Sequence, residues 1–164
     1  MKTLTILRHA KSSWKDSSLS DRDRPLNKRG KRDAPIMASR IHQAGIRPSL
    51  ILSSPAVRAW TTAKIVAEEI SYPNEFLQRD ERLYHAGVRR IIDVLSEQDV
   101  AFNSIMIVGH NPGFTDFANY LLPDVTHNIP TSGVVSVLID TDDWDFKTKK
   151  KAELANYDYP KKKT

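Results

Sequence analysis

The 164-residue sequence has no cysteine, which excludes disulfides, a thiolate nucleophile and a zinc ribbon. No apolar run approaches the length that spans a bilayer. The first such run, Leu4-Thr5-Ile6-Leu7, has the length of a strand and not of a signal-peptide core, so a cytoplasmic location is expected. A P-loop, a GxGxxG fingerprint and an HExxH pair are also absent. Without internal repeats or a long linker, a single domain over residues 1–160 is expected, followed by a basic tail over 161–164. A chain of this size buries roughly two-thirds of its unfolded surface, enough for a core.

The formal net charge of +5 suits an acidic partner, including a phosphorylated protein. Much of the excess lies in Lys147, Lys149, Lys150 and Lys151 and in Lys161 to Lys163, runs that read as solvated surface. No nucleic-acid-binding motif accompanies them, so nucleic acid is not an expected partner.

Strand-like runs near 3–8, 50–53, 104–109 and 134–140 alternate with helical stripes near 27–44, 55–70, 87–97 and 112–122. The stripes are carried by residues such as Ala34, Met37 and Ile41, or Ile91, Ile92 and Leu95. The alternation predicts an α/β fold, a three-layer α/β/α sandwich around a mostly parallel sheet. A short strand is expected near Phe76 to Gln78, and a final one over Lys151 to Tyr159 with Leu154 and Tyr157 partly buried. Pro35 should kink or disturb the first helix.

Two of the strands end in histidine: Leu4–Leu7 runs into Arg8-His9, and Ile105–Val108 into Gly109-His110. In open α/β sheets the ligand crevice lies outside the carboxyl ends of the strands, so these residues converge there. A third run, Leu50–Leu52, leads through Ser53-Ser54-Pro55 to Arg58. This reads as a strand, a helix cap, a proline at the first helical position and an arginine in the first turn. Asn111-Pro112 after His110 has the same form. Two helix starts, two arginines and two histidines describe an anion site. Guanidinium groups repel a cation and match phosphate oxygens bidentately. Paired carboxylates for a divalent metal are missing from these segments, so no metal ligands and no cofactor are expected, and histidine is the natural nucleophile.

The segments Leu7-Arg8-His9-Ala10-Lys11-Ser12-Ser13-Trp14, Asp23-Arg24-Pro25-Leu26-Asn27-Lys28-Arg29-Gly30, Ser53-Ser54-Pro55-Ala56-Val57-Arg58 and Val108-Gly109-His110-Asn111-Pro112-Gly113 resemble those of the histidine phosphatase superfamily. The chain is most similar to its small SixA-type phosphohistidine phosphatases, and the likeness runs on to Tyr157-Asp158-Tyr159-Pro160-Lys161. The resemblance implies a phosphoglycerate mutase-like fold and a metal-independent phosphatase. In that reading His9 takes the phosphoryl group, Arg8, Arg58 and His110 bind its oxygens, and water hydrolyses phospho-His9. Phosphoryl transfer asks mainly for in-line positioning and charge stabilisation, which such a set supplies.

The family's Arg-His-Gly reads Arg8-His9-Ala10 here, as it does in the SixA-type branch. In Asp80-Glu81-Arg82-Leu83-Tyr84-His85, His85 stands where the mutase and acid-phosphatase branches place a glutamate as proton donor. Losing a general acid typically costs about 10²–10⁴-fold, most for a poor leaving group such as an alkoxide. The missing glutamate therefore favours a phosphoramidate, phosphohistidine, over sugar phosphates. Asp21, Asp23, Glu81 and His85 are the alternative proton donors, with His85 placed first. A small-molecule phosphomonoesterase of the same superfamily and a catalytically silent phosphate-binding module remain as other readings.

The polar stretch Lys11 to Arg24 is long for a βα connection, as binding loops are. It is expected to border the substrate entrance, with Ser12 and Asp21 on the rim beside His85. His42, His127, Arg24 and Arg29 read as structural or solvated, with an edge of the pocket as the alternative for Arg24; Trp14 and Trp60 read as packing residues, with the lining of a cleft as the alternative.

Overall fold

Strand β1 (Lys2–Arg8) turns Leu4 and Ile6 to one apolar cluster and Leu7 to another, because successive side chains of a pleated strand point to opposite faces. β2 (Leu50–Ser53) and β4 (Ser104–Gly109) do the same. Leu52 and Ile107 join the first cluster, Ile51 and Met106 the second. Helices α1 (Lys28–Gln43) and α2 (Val57–Glu69) cover the second cluster with Met37, Ile41, Ala63 and Val66. Helices α3 (Val88–Ser96) and α4 (Gly113–Leu121) cover the first with Ile91, Leu95, Phe114 and Phe117. The architecture is thus the expected α/β sandwich of three layers. It comes from a computed structural model that describes residues 1–163. Thr164, the end of the basic tail, lies outside the described residues.

The sheet order is β3-β2-β4-β1-β5-β6, with β3 at Gln78–Arg79, β5 at Val134–Asp140 and β6 at Lys151–Asp158. β3, β2, β4 and β1 are parallel, and β5 runs antiparallel to both of its neighbours. The register of the central pair sets Arg8 opposite Gly109, so the two strands stop at the same level.

Several local expectations shift. β3 begins two residues later than predicted because Asn74–Phe76 closes a 3₁₀ turn first. α1 continues unbroken through Pro35, which sits on its exposed face. There water can serve the backbone group that the missing N–H leaves unpaired. Leu154 is exposed, as befits the outer strand, while Tyr157 is partly buried as expected. Lys147, Lys149 and Lys151 lie at the surface.

Helix α4 approaches the 85–87 segment so closely that a Cβ on Gly113 would lie 1.7 Å from the Ala86 carbonyl oxygen. Backbone cannot yield as a side-chain tip does. We expect Gly113→Ala to lower the unfolding free energy in urea by about 1–3 kcal/mol and to reduce turnover by displacing His85. Unchanged stability would refute this reading of the contact.

Candidate active site

Continuing the β1–β4 register by one residue brings the histidines together. The His9 backbone N–H donates to the Gly109 carbonyl at 3.0 Å, and the His9 and His110 rings are 5.1 Å apart. The end of β2 joins through Ser54 N–H, which donates to Val108 at 2.9 Å. Arg8, His9, Arg58 and His110, with Ser12, Asp21 and His85, all line one cleft of about 290 Å³. Larger hollows of about 920 and 700 Å³ lie beside the α1 and α3 starts. Neither contains the paired histidines, and size alone does not make a reaction site.

His9 Nδ1 lies 2.7 Å from the Ala10 carbonyl. A carbonyl only accepts, so Nδ1 carries the hydrogen and Nε2 keeps its lone pair. Burial lowers the His9 pKa to about 3, with Arg58, Arg8 and Arg24 adding to the effect against the Ala10 hydrogen bond. His110 is lowered to about 2, again chiefly by burial and then by His9 and Arg58. Both rings are neutral near pH 7.

Ser54 is not the helix cap that the sequence suggested. α2 starts at Val57 with Ala56 at its N-cap, because the Ser54 hydroxyl is engaged by His110 Nε2 at 2.7 Å and accepts the Ala56 N–H at 3.2 Å. Pro112, expected at the first helical position, is the N-cap of α4, and Asn111 Oδ1 accepts the Thr115 hydroxyl at 2.8 Å. Arg8 Nη1 donates to the Ile129 carbonyl at 2.8 Å. Arg8 Nε, His110 Nδ1 and Ser132 Oγ are buried without a partner among the described residues, and such groups are costly unless something pairs with them.

Asp21 is the hub of the rim. Its carboxylate accepts from Arg24 at 2.8 Å, Arg58 at 3.0 Å, Tyr84 at 2.5 Å and His85 at 3.0 Å, and its carbonyl accepts from Arg58 Nη1 at 2.6 Å. Partial burial alone would raise its pKa, but these donors hold it well below the usual carboxylate range. Asp21 therefore accepts and does not donate. Asp23 is exposed and bonded to Ser20, and Glu81 pairs with Arg22. Neither lines the cleft. His85, at the positive φ of 50° and 4.7 Å from the His110 ring, is the candidate donor that does. Strained backbone of this kind clusters at functional sites.

Three further side chains shape the cleft. Arg24 is only 7% exposed and contacts Ser12 and Asp21. Its signal was the Arg24-Pro25 motif at the end of the loop, which the Ser12–Leu26 bridge folds back onto the strand end. Trp14 was expected to pack and instead stands exposed at the mouth of the cleft. Tyr84 reaches Asp21 across 63 residues of sequence, a separation that no local pattern signals. The Lys11 to Arg24 loop does border the cleft. His42 and His127 lie outside it, exposed.

The profile of the histidine phosphatase superfamily (branch 1) matches residues 4–88. An uncharacterized chloroplastic protein of Arabidopsis thaliana is 35% identical over 130 residues, 72% of this chain and 58% of that protein. The chain therefore spans less than two-thirds of that relative. A candidate phosphohistidine phosphatase SixA from Agrobacterium tumefaciens superposes with a TM-score of 0.80 at 26% identity, over 97% of this chain and 98% of its own. The protein histidine phosphatase SixA complexed with tungstate gives 0.79 at 21% identity, over 96% and 97%; at that identity the likeness concerns the fold. Among the described residues no helix is long and apolar enough to cross a membrane.

His9 and His110 have lowered pKa values when folded and regain the ordinary value near 6.5 on unfolding. Unfolding then takes up protons between pH 6.5 and about 3, so this stability is present above pH 6.5 and is lost as pH falls. Each histidine contributes a limiting slope of about 1.4 kcal/mol per pH unit. Urea titrations at pH 6 and pH 5 should show that slope reduced by one proton in His9→Gln; an identical slope would mean that His9 titrates normally in the fold.

Proposed function

The chain belongs to the histidine phosphatase superfamily, and we propose that it is a phosphatase that removes phosphate from a phosphohistidine-bearing protein through a phospho-His9 intermediate. The observation that carries the proposal is the His9 hydrogen bond to Ala10, which keeps a neutral Nε2 lone pair among arginines. Nε2 attacks phosphorus as the bond from phosphorus to the substrate nitrogen breaks, and the electron pair leaves on the substrate imidazole. Arg8, Arg58 and His110 hold the transferring oxygens. The unpartnered Arg8 Nε and His110 Nδ1 are the groups with capacity to spare. Water then attacks phospho-His9, releasing phosphate and restoring the imidazole.

In this reading Asp21 positions Arg58 and Arg24 and orients His85, which protonates the leaving group. An imidazole leaves more readily than an alkoxide, so a weak acid at this place suffices for phosphohistidine and handicaps alkyl phosphates.

The test is phosphate release from a phosphohistidine-bearing carrier protein, an aryl phosphate and a sugar phosphate, with chelator present. We expect chelator-resistant release, fastest from phosphohistidine and lost in His9→Ala. His85→Asn should cost the sugar phosphate about 10²-fold and phosphohistidine much less. Preference for the sugar phosphate would overturn the substrate in favour of a small-molecule phosphatase. Phosphate binding without release from any substrate would leave a silent binding module.

A further inference from the structure

Trp14 is 74% exposed although it lines the cleft that holds His9. At the mouth of the cleft the indole offers an amphipathic ring face to whatever enters. The indole is nevertheless fixed from one side. The Arg24 guanidinium carbon lies 3.2 Å from its ring centroid, and Arg24 is itself clamped by Ser13, Asp21 and Ser12. One face of Trp14 rests on a buried cation; the degree of exposure leaves the opposite face bare.

In-line transfer places the leaving group on the side of phosphorus opposite the nucleophile. His9 is 8% exposed at the floor formed by the strand ends, so the leaving group points outward, toward the mouth where Trp14 and His85 stand. We propose that the bare face of Trp14 is a stacking platform for a planar leaving group, selecting phosphate carried on an aromatic ring over phosphate carried on an aliphatic alcohol. The inference rests on His9 as phosphoryl acceptor and refines the substrate: the imidazole of phosphohistidine lies flat on the indole during transfer. The platform acts on the leaving group alone, so it sets substrate preference without binding the phosphate.

The experiment compares wild type, Trp14→Ala and Trp14→Phe on a phosphohistidine peptide, an aryl phosphate and a phosphoserine peptide, with inhibition by inorganic phosphate as a control for the phosphate cradle. Trp14→Ala should lower kcat/KM about tenfold for the two ring-bearing substrates, chiefly through KM. It should change phosphoserine turnover and phosphate inhibition less than twofold, and Trp14→Phe should recover most of the loss. An equal loss on all three substrates, or weakened phosphate inhibition, would overturn the platform and make Trp14 a prop for Arg24, leaving the phosphohistidine reading intact. Wild type that spares the phosphohistidine peptide yet shows a Trp14-dependent advantage on the aryl phosphate would overturn the phosphohistidine reading while supporting the platform.

Discussion

The hydrogen bond from His9 N–H to the Gly109 carbonyl continues the in-register pairing of β1 and β4 by one residue beyond the strands, and the rest of the cleft depends on that step. It places two imidazoles a ring's width apart at the centre of the sheet, where neighbours lie on every side. Arg8 follows from the same register, held by Gly133 through its N–H and by Ile129 through its guanidinium. Arg58 arrives from α2 because β2 pairs with β4 and ends at the same level. A slip of one residue in β1 would turn Arg8 and His9 to the opposite faces and separate the two histidines.

Electrostatics then assign the roles. The two central histidines are desolvated next to arginines, and both influences favour the neutral ring. Asp21 meets the opposite balance, since four donors outweigh its partial burial. The result is a pair of neutral imidazoles beside a fixed cationic wall, with an ionised acceptor at the rim. Desolvation of imidazole and pairing of carboxylate thus separate two titratable classes within one small volume, the arrangement that acid–base assignments rest on.

Much of this was legible in the sequence because it depends on short-range pattern. Apolar runs that end in Arg8-His9 and Gly109-His110 mark strand ends, and periodic stripes on α1 to α4 mark the covering helices within a residue or two of their bounds. What escaped notice depends on convergence. Ser54 has the composition of a cap, and its hydroxyl instead meets a histidine 56 residues away. Tyr84 is one aromatic among several until the 81–85 segment folds over Asp21. Trp14 reads as core by chemistry alone, and its exposure follows from Arg24 occupying the inner position beneath it.

The segment Asp21–Asp23 spans from the α1–α2 layer to the α3–α4 layer, touching Arg58 on one side and Tyr84, His85 and Glu81 on the other. It buries no residue of its own. The awning over the strand ends is therefore tied down by polar bonds alone, and the exposed Arg22–Glu81 pair adds little to its hold. Dissolved salt weakens the exposed Arg22–Glu81 pair first, while the Asp21 contacts, direct and partly buried, are screened much less. The cover of this cleft is thus a polar strap on an apolar chassis, and it loosens first at its exposed end.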